Sequence, residues 1–207
     1  MTTVMKKKRA RTKEMILNAA LELISVNGFE ETSMESIAAR AEVATGTLYN
    51  YYGSKSVLLI ALYARMTDQL REGLPKRSTG PFTCESAIND LIAAIHYVSQ
   101  TVAIFPKPIT RQIYAFMFVL DPADMADLTA MDREVMSLIM PILEDMKRAD
   151  FLAKEVDVQS AAMLIYGSSL MQHQAFIIMP EMTHPQLLEA IEKQIRMQFG
   201  GLLLRPE

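Results

Sequence analysis

Apolar residues recur along this chain at the three- and four-residue spacing of helices, and strand-like alternation is almost absent. The pattern predicts an all-α protein of about nine helices. Ile16, Leu17, Ala20, Leu21 and Ile24 form one face of a first helix starting near Thr12. Asn27-Gly28 closes it, with a glycine suited to the left-handed position after a helix end. Phe29 then plugs the small core of this region. Thr32 and Glu35 have capping-box spacing, which favours a second helix from about Ser33 to Arg40, with Ile37, Ala38 and Ala41 inward. Glu42-Val43 makes a turn into a third helix, Thr45 to Tyr51, whose Leu48 and Tyr52 face the core. Gly53-Ser54 ends that helix and caps a fourth, from Lys55 to about Gly73, carrying Val57, Leu58, Leu62 and Met66.

A polar break from Pro75 to Pro81 reads as a loop. Further helices are expected at about 83–104, 107–119, 123–149, 157–179 and 185–199. Pro106 and Pro108 separate the first two, Asp121-Pro122 opens the third, and Pro141 is expected to kink it. Asp157 caps the fourth. Thr183 and Gln186 have capping-box spacing for the last, with Pro185 tolerated in its first turn, and Gly200-Gly201 ends it.

Composition narrows the class. Half of the 207 residues are apolar, which excludes global disorder. No apolar run reaches the roughly 18 residues needed to span a bilayer, and the basic N-terminus lacks the apolar core of a signal peptide. Cys84 is the single cysteine, so no intrachain disulfide or cysteine-based zinc site is available. A reducing cytoplasm fits, and no cofactor or metal is expected. The net charge of −3 is unevenly spread: residues 1–55 hold eight basic and six acidic residues, and the remainder thirteen basic and eighteen acidic. Lys6, Lys7, Lys8, Arg9, Arg11 and Lys13 crowd into one short arm. A basic end on an acidic body suggests a nucleic-acid-facing head.

The stretch from Thr32 to Lys55 has the chemistry of a helix-turn-helix. Ala44, Thr45, Gly46 and Thr47 form a slim end that enters a groove without bulk. Threonine hydroxyls bond phosphates or base edges, and a threonine methyl meets a thymine methyl. Tyr49 and Tyr51 pair a flat apolar ring with a polar tip, and Asn50 offers a donor and an acceptor. Lys55 is placed to pair with a phosphate. Lys8, Arg9 and Arg11 add sequence-independent attraction that salt weakens.

Ile16, Ala19-Ala20, Gly28-Phe29, Thr32-Ser33, Ile37-Ala38, Ala41, Val43, Gly46-Thr47-Leu48-Tyr49, Tyr51-Tyr52, Ser54-Lys55 and Leu58-Leu59 carry a further signal at fixed spacing. With these residues the first 62 positions resemble the DNA-binding domain of the TetR family of bacterial transcriptional regulators. By position, the resemblance implies DNA contacts from Thr45, Thr47, Tyr49 and Tyr51, a phosphate-binding role for Lys55, and backbone contacts from the helix-start hydroxyls of Ser33 and Thr45. Glu42 stands where many members have glycine; a positive backbone angle there costs on the order of 1 kcal/mol. The division expected is 1–55 for DNA binding, with its basic arm, and 56–207 for effector binding and dimerisation.

The body is rich in methionine, with eleven of sixteen from Met117 onward. Methionine is flexible and polarizable and suits adaptable apolar cavities. Candidate pocket residues are Tyr97, Phe105, Tyr114, Phe116, Met117, Met136, Met140, Tyr166 and His173, although any one of them can equally fill a core. The resemblance implies a small-molecule effector between these middle helices, and a lipophilic one is expected. The last two helices, at about 157–179 and 185–199, combine small residues with an apolar stripe, and the resemblance implies a homodimer through them. A two-fold dimer reads a near-palindromic double-stranded DNA operator. The function expected is a ligand-responsive regulator, a repressor released by its effector. Two alternatives belong to other classes: a helical interaction protein, or a small-molecule enzyme using His96, His173 or His184. The histidines are scattered without metal-ligand spacing, and neither a phosphate loop nor a nucleophile elbow appears.

Overall fold

The computed structural model describes residues 3–70, 73–116, 119 and 126–200. Among them are nine helices and no strand element: α1 (Thr3–Asn27), α2 (Met34–Arg40), α3 (Thr45–Tyr51), α4 (Lys55–Leu70), α5 (Cys84–Thr101), α6 (Lys107–Phe116), α7 (Ala126–Arg148), α8 (Val158–Ile178) and α9 (His184–Gln198). The all-α expectation holds. Asp121-Pro122 and Gly201 lie outside the described residues.

The chain forms two compact units, one of residues 1–68 with 111–128 and the other of 69–110 with 129–207. In the first, α1 packs on α2 and α2 on α3. Ile16, Ala20, Ile24, Phe29, Ile37, Ala38, Leu48, Tyr52, Leu58, Leu59 and Leu62 are buried. Each large apolar side chain removed from water in this way contributes about 1.5–3 kcal/mol. In the second unit α5, α8 and α9 pack on one another around Leu91, Ile95, Ile165, Leu187, Ile191 and Ile195, all buried.

The helix ends show which local signals acted. Gly28 has φ +84 after α1, as its sequence position predicts. Thr183 and Gln186 form the capping box expected for α9, and Asp157 caps α8 through the Ser160 amide. The box expected from Thr32 and Glu35 is displaced by one residue. Ser33 caps α2 and pairs reciprocally with Ser36, while the buried Thr32 hydroxyl donates to the Gly28 carbonyl at 2.8 Å. α1 starts at Thr3, nine residues before the expected Thr12. Lys, Arg, Ala and Met are good helix formers, so the basic arm continues the helix. α7 runs on through Pro141.

Candidate nucleic-acid interface

Two short helices and the turn between them make the interface. α2 ends in a Schellman turn: the Glu42 amide donates to Ala39 O at 3.1 Å and the Val43 amide to Ala38 O at 3.0 Å. The motif needs a left-handed residue in its middle, and Glu42 takes it at φ 54. A non-glycine residue there is strained by about 1 kcal/mol. The turn hands the chain to α3, whose first amide bonds return to Ala44 O from Thr47 at 2.8 Å and Leu48 at 3.1 Å. Ala44 caps without a side-chain bond.

α3 is split into two faces. Leu48 is fully buried and Tyr52 nearly so. Gly46 and Asn50 are exposed, Tyr49 is 45 % exposed, and Thr45, Thr47 and Tyr51 are half-buried. Of the residues expected to meet DNA, Tyr49 and Asn50 are exposed, as is Ser33 before α2, while Thr45, Thr47 and Tyr51 lie at the edge of the exposed face. Ser33 accepts the Ser36 amide at 3.0 Å, which leaves its hydroxyl proton to donate outward.

The basic arm lies close to this face. The Arg9 guanidinium stands 5.7 Å from the Tyr51 ring centroid, within cation–π range. On a helix, Lys6 and Lys13 fall on the same side as Arg9, so the arm brings a row of cations beside α3. Lys8 and Arg11 are also exposed. Only the helical form of the arm makes this alignment visible; the sequence shows only a cluster of charge. Lys55, expected to meet a phosphate, stands at the start of α4 beside the α1–α2 turn. Its ammonium lies 2.9 Å from Phe29 O and 3.3 Å from Glu30 O, and 4.3 Å from the Phe29 ring centroid.

The candidate pocket residues are divided between the two units. Phe116 is half-buried and packs tilted against Phe29, ring centroids 5.6 Å apart, within the N-terminal unit, where Tyr114 also falls. Met117 lies outside the described residues. Tyr97, Phe105, Tyr166 and His173 are buried in the second unit, and Met136 and Met140 are half-buried on α7. His173 Nε2 is 2.8 Å from Ser99 Oγ, which itself donates to Ile95 O. Burial first, and the neighbouring His184 second, lower the His173 pKa to about 4. A groove of about 250 Å³ in this unit, open to solvent, is lined by Pro75, Lys76, Arg77, Asp90, Ala94, Leu138 and Ile142, with none of the expected residues among them. Beside the groove, Asp90 accepts the Ser78 amide at 3.0 Å and the Ser78 hydroxyl at 2.6 Å, which staples the loop before α5.

A short helix pair joined by a tight turn, with a polar outward helix and flanking cations, is the layout of a helix-turn-helix. Residues 16–62 match the family model described as bacterial regulatory proteins, tetR family. The match is confined to the N-terminal domain, which is similar to the DNA-binding domain of that family. The chain is 31 % identical over 106 residues to the HTH-type transcriptional repressor KstR of Mycolicibacterium smegmatis, a match covering 51 % of this chain and 50 % of the relative. It is 33 % identical over 79 residues to the fatty acid metabolism regulator protein of Bacillus subtilis, covering 36 % and 40 %. The chain thus spans about half the length, or less, of these curated relatives. Among solved structures, a TetR-family regulator from Pectobacterium atrosepticum has the same fold over all of both chains, with TM-score 0.68 at 23 % identity. The Thermus thermophilus repressor FadR, solved with lauroyl-CoA, aligns over 94 % of this chain and 97 % of its own, with TM-score 0.66 at 21 % identity.

Proposed function

We propose that the chain is a ligand-responsive transcriptional repressor that binds a near-palindromic operator as a homodimer and is released by a small lipophilic effector. The observation that carries this reading is the surface of α3, where Asn50 lies opposite the buried Leu48, Tyr49 is exposed and Thr45, Thr47 and Tyr51 are half-buried at its flanks, with Arg9 beside Tyr51. Such a face offers hydrogen bonds to base edges, and its basic flank supplies attraction to the phosphate backbone.

The dimer reading is supported by where the body leaves apolar surface uncovered. Met163, Leu164, Met171 and Ile178 on α8 and Met197 on α9 are exposed, Met171 by 64 % and Ile178 by 66 %. Leu164, Met171 and Ile178 follow one another at seven-residue intervals, so they share one stripe of α8. An uncovered apolar stripe of this kind marks a protein–protein contact.

The effector class is drawn from relatives, since a fatty acid metabolism regulator and an acyl-CoA-bound repressor are among them. Tyr97, Phe105, Met136, Met140, Tyr166 and His173 remain the side chains proposed to yield to such a ligand. They are packed in this structure, so the effector must select a state in which they part. The enzyme alternative finds no support in the family. Two of the three histidines also hydrogen-bond backbone carbonyls, His96 that of Leu188 and His184 that of Ser99.

The test is a titration of a duplex from the DNA upstream of the chain's own gene, repeated over a range of salt. The wild type is expected to bind with a logarithmic affinity that falls linearly with logarithmic salt. Thr47→Ala is expected to weaken binding by about 1–3 kcal/mol at its preferred bases. A folded dimer that binds no duplex at low salt would refute the proposal.

A further inference from the structure

Lys107 is the first residue of α6, a helix with no acidic side chain in its first turn. A cation there faces the positive end of the helix macrodipole and is locally unfavourable. Its ammonium is compensated elsewhere, at the end of α8. It donates to the carbonyls of Met179, Pro180 and Met182 at 2.6, 3.2 and 2.6 Å. It also lies 4.3 Å from the ring centroid of the buried Phe176. The last carbonyls of a helix lack partners within it and carry the negative end of its macrodipole. Met179 closes α8, its amide bonded to Ala175 O at 2.8 Å, and Met179 O also receives the Met182 amide at 3.3 Å. Three carbonyls take all three donors of the ammonium, so one side chain gathers the turn from Met179 to Met182. α5 holds the far end of the same turn. His184, which opens α9, lies edge-on to Phe176 at 6.1 Å, and its Nε2 is 3.2 Å from Ser99 O.

We infer that Lys107 is a positioning residue for self-association, which fixes the α8–α9 turn and thereby the angle at which the two helices present their uncovered apolar side chains to a second copy of the chain. The apolar stripe of α8 runs into this turn. Ile178 and Met179 are 66 % and 44 % exposed, and the Met179 carbonyl is one of those that Lys107 holds. A surface shared by two helices matches its own copy only while the helices keep one crossing angle. The inference rests on the homodimer reading for its consequence, whereas its geometry lies within one unit and stands without that reading.

The experiment uses the full chain as wild type, Lys107→Met and Lys107→Arg, with Lys107→Gln as the milder variant should methionine prevent folding. Hydrogen exchange at the Met182 amide is followed by NMR. Mixing of subunits between dimers carrying two different fluorophores is followed by energy transfer. Lys107→Met is expected to speed both about tenfold, the effect of losing a charge-assisted hydrogen bond. Arginine, which also donates to several carbonyls, is expected to restore both. Lys147→Met is the control: Lys147 donates to the Lys154 and Val156 carbonyls before α8, in the same unit, and its loss is expected to leave subunit mixing unchanged. Unchanged hydrogen exchange in Lys107→Met, or faster exchange with unchanged mixing, would overturn the inference. Equal acceleration of mixing by Lys147→Met would overturn it too, leaving Lys107 only a general stabilising contact. A wild type that sediments only as a monomer would instead refute the homodimer reading, and hydrogen exchange would still decide whether Lys107 holds the turn.

Discussion

Lys55 and Lys107 are set alike in the two units of this protein. Each is the first residue of its helix, and each places its ammonium 4.3 Å from the ring centroid of a buried phenylalanine, Phe29 in one case and Phe176 in the other. Each also donates to backbone carbonyls just past the end of another helix, α1 for Lys55 and α8 for Lys107. Lys55 takes those of Phe29 and Glu30, and Lys107 those of Met179, Pro180 and Met182, at 2.6, 3.2 and 2.6 Å. The units differ in the surface beside the clamp. α3 presents threonine, asparagine and tyrosine, whereas α8 and α9 present methionine, leucine and isoleucine. The same backbone device therefore stiffens two surfaces of opposite chemistry, one proposed for DNA and one for a second copy of the chain. Partner choice resides in the outward side chains, and the clamps hold their presentation steady.

The most disruptive way to break this comparison is to remove the rings. Phe29→Ala and Phe176→Ala each delete a buried aromatic side chain together with the surface on which a lysine sits. Each is expected to cost about 3–5 kcal/mol in chemical denaturation. A loss under 1 kcal/mol at either site would show that its ring is not a structural part of the clamp.

A somewhat smaller effect separates the units by pH. His173 is buried and neutral, with its pKa lowered to about 4 from 6.5. Between those values the unfolded chain takes up a proton that the folded chain refuses, so stability falls as pH drops through this window. The full loss is about 3 kcal/mol, at roughly 1.4 kcal/mol per pH unit. Asp145 and Asp157, whose carboxyls are held below their usual value of 3.8 chiefly by hydrogen bonds from Arg77 and Ser160, add a loss only at still lower pH. Denaturant midpoints measured from pH 7 to 4.5 are expected to fall for the wild type and to stay flatter for His173→Gln. Parallel curves would remove His173 from the account.

The smallest effect compares two helix ends. α2 and α7 both finish in Schellman turns with an acidic residue in the left-handed position, Glu42 at φ 54 and Asp150 at φ 61. Glu42→Gly is expected to stabilise the chain by about 1 kcal/mol. Asp150→Gly is expected to gain less, because aspartate tolerates that conformation better. Equal gains, or a loss at Glu42, would contradict the strain assigned there.

What could be read from the chain follows how local each signal is. α3 was legible to its ends because Gly53-Ser54 and the turn at Glu42-Val43 act within a few residues. The outward face of α3 followed from the inward positions of Leu48 and Tyr52. The α2 cap was misplaced by one residue because Thr32 and Glu35 fit the usual box. The pair that forms instead, Ser33 with Ser36, uses a serine where glutamate or glutamine is the common partner. The setting of Lys55 was not legible, since it depends on a turn 26 residues away. The pocket was least legible, because an aromatic side chain that fills a core and one that lines a cavity have the same periodicity. Phe116, a candidate effector contact by sequence, is half-buried and packs on Phe29.

The central claim is that α3 reads a two-fold DNA site. Selection of bound duplexes from a random pool, carried out in parallel with the wild type and Thr47→Ala, tests it most directly. The wild type is predicted to enrich a near-palindrome with half-sites about one helical turn apart, or a multiple of it, and Thr47→Ala to relax the preference at symmetric positions in both halves. Enrichment of no sequence, or of one that Thr47→Ala leaves unchanged, would contradict the account.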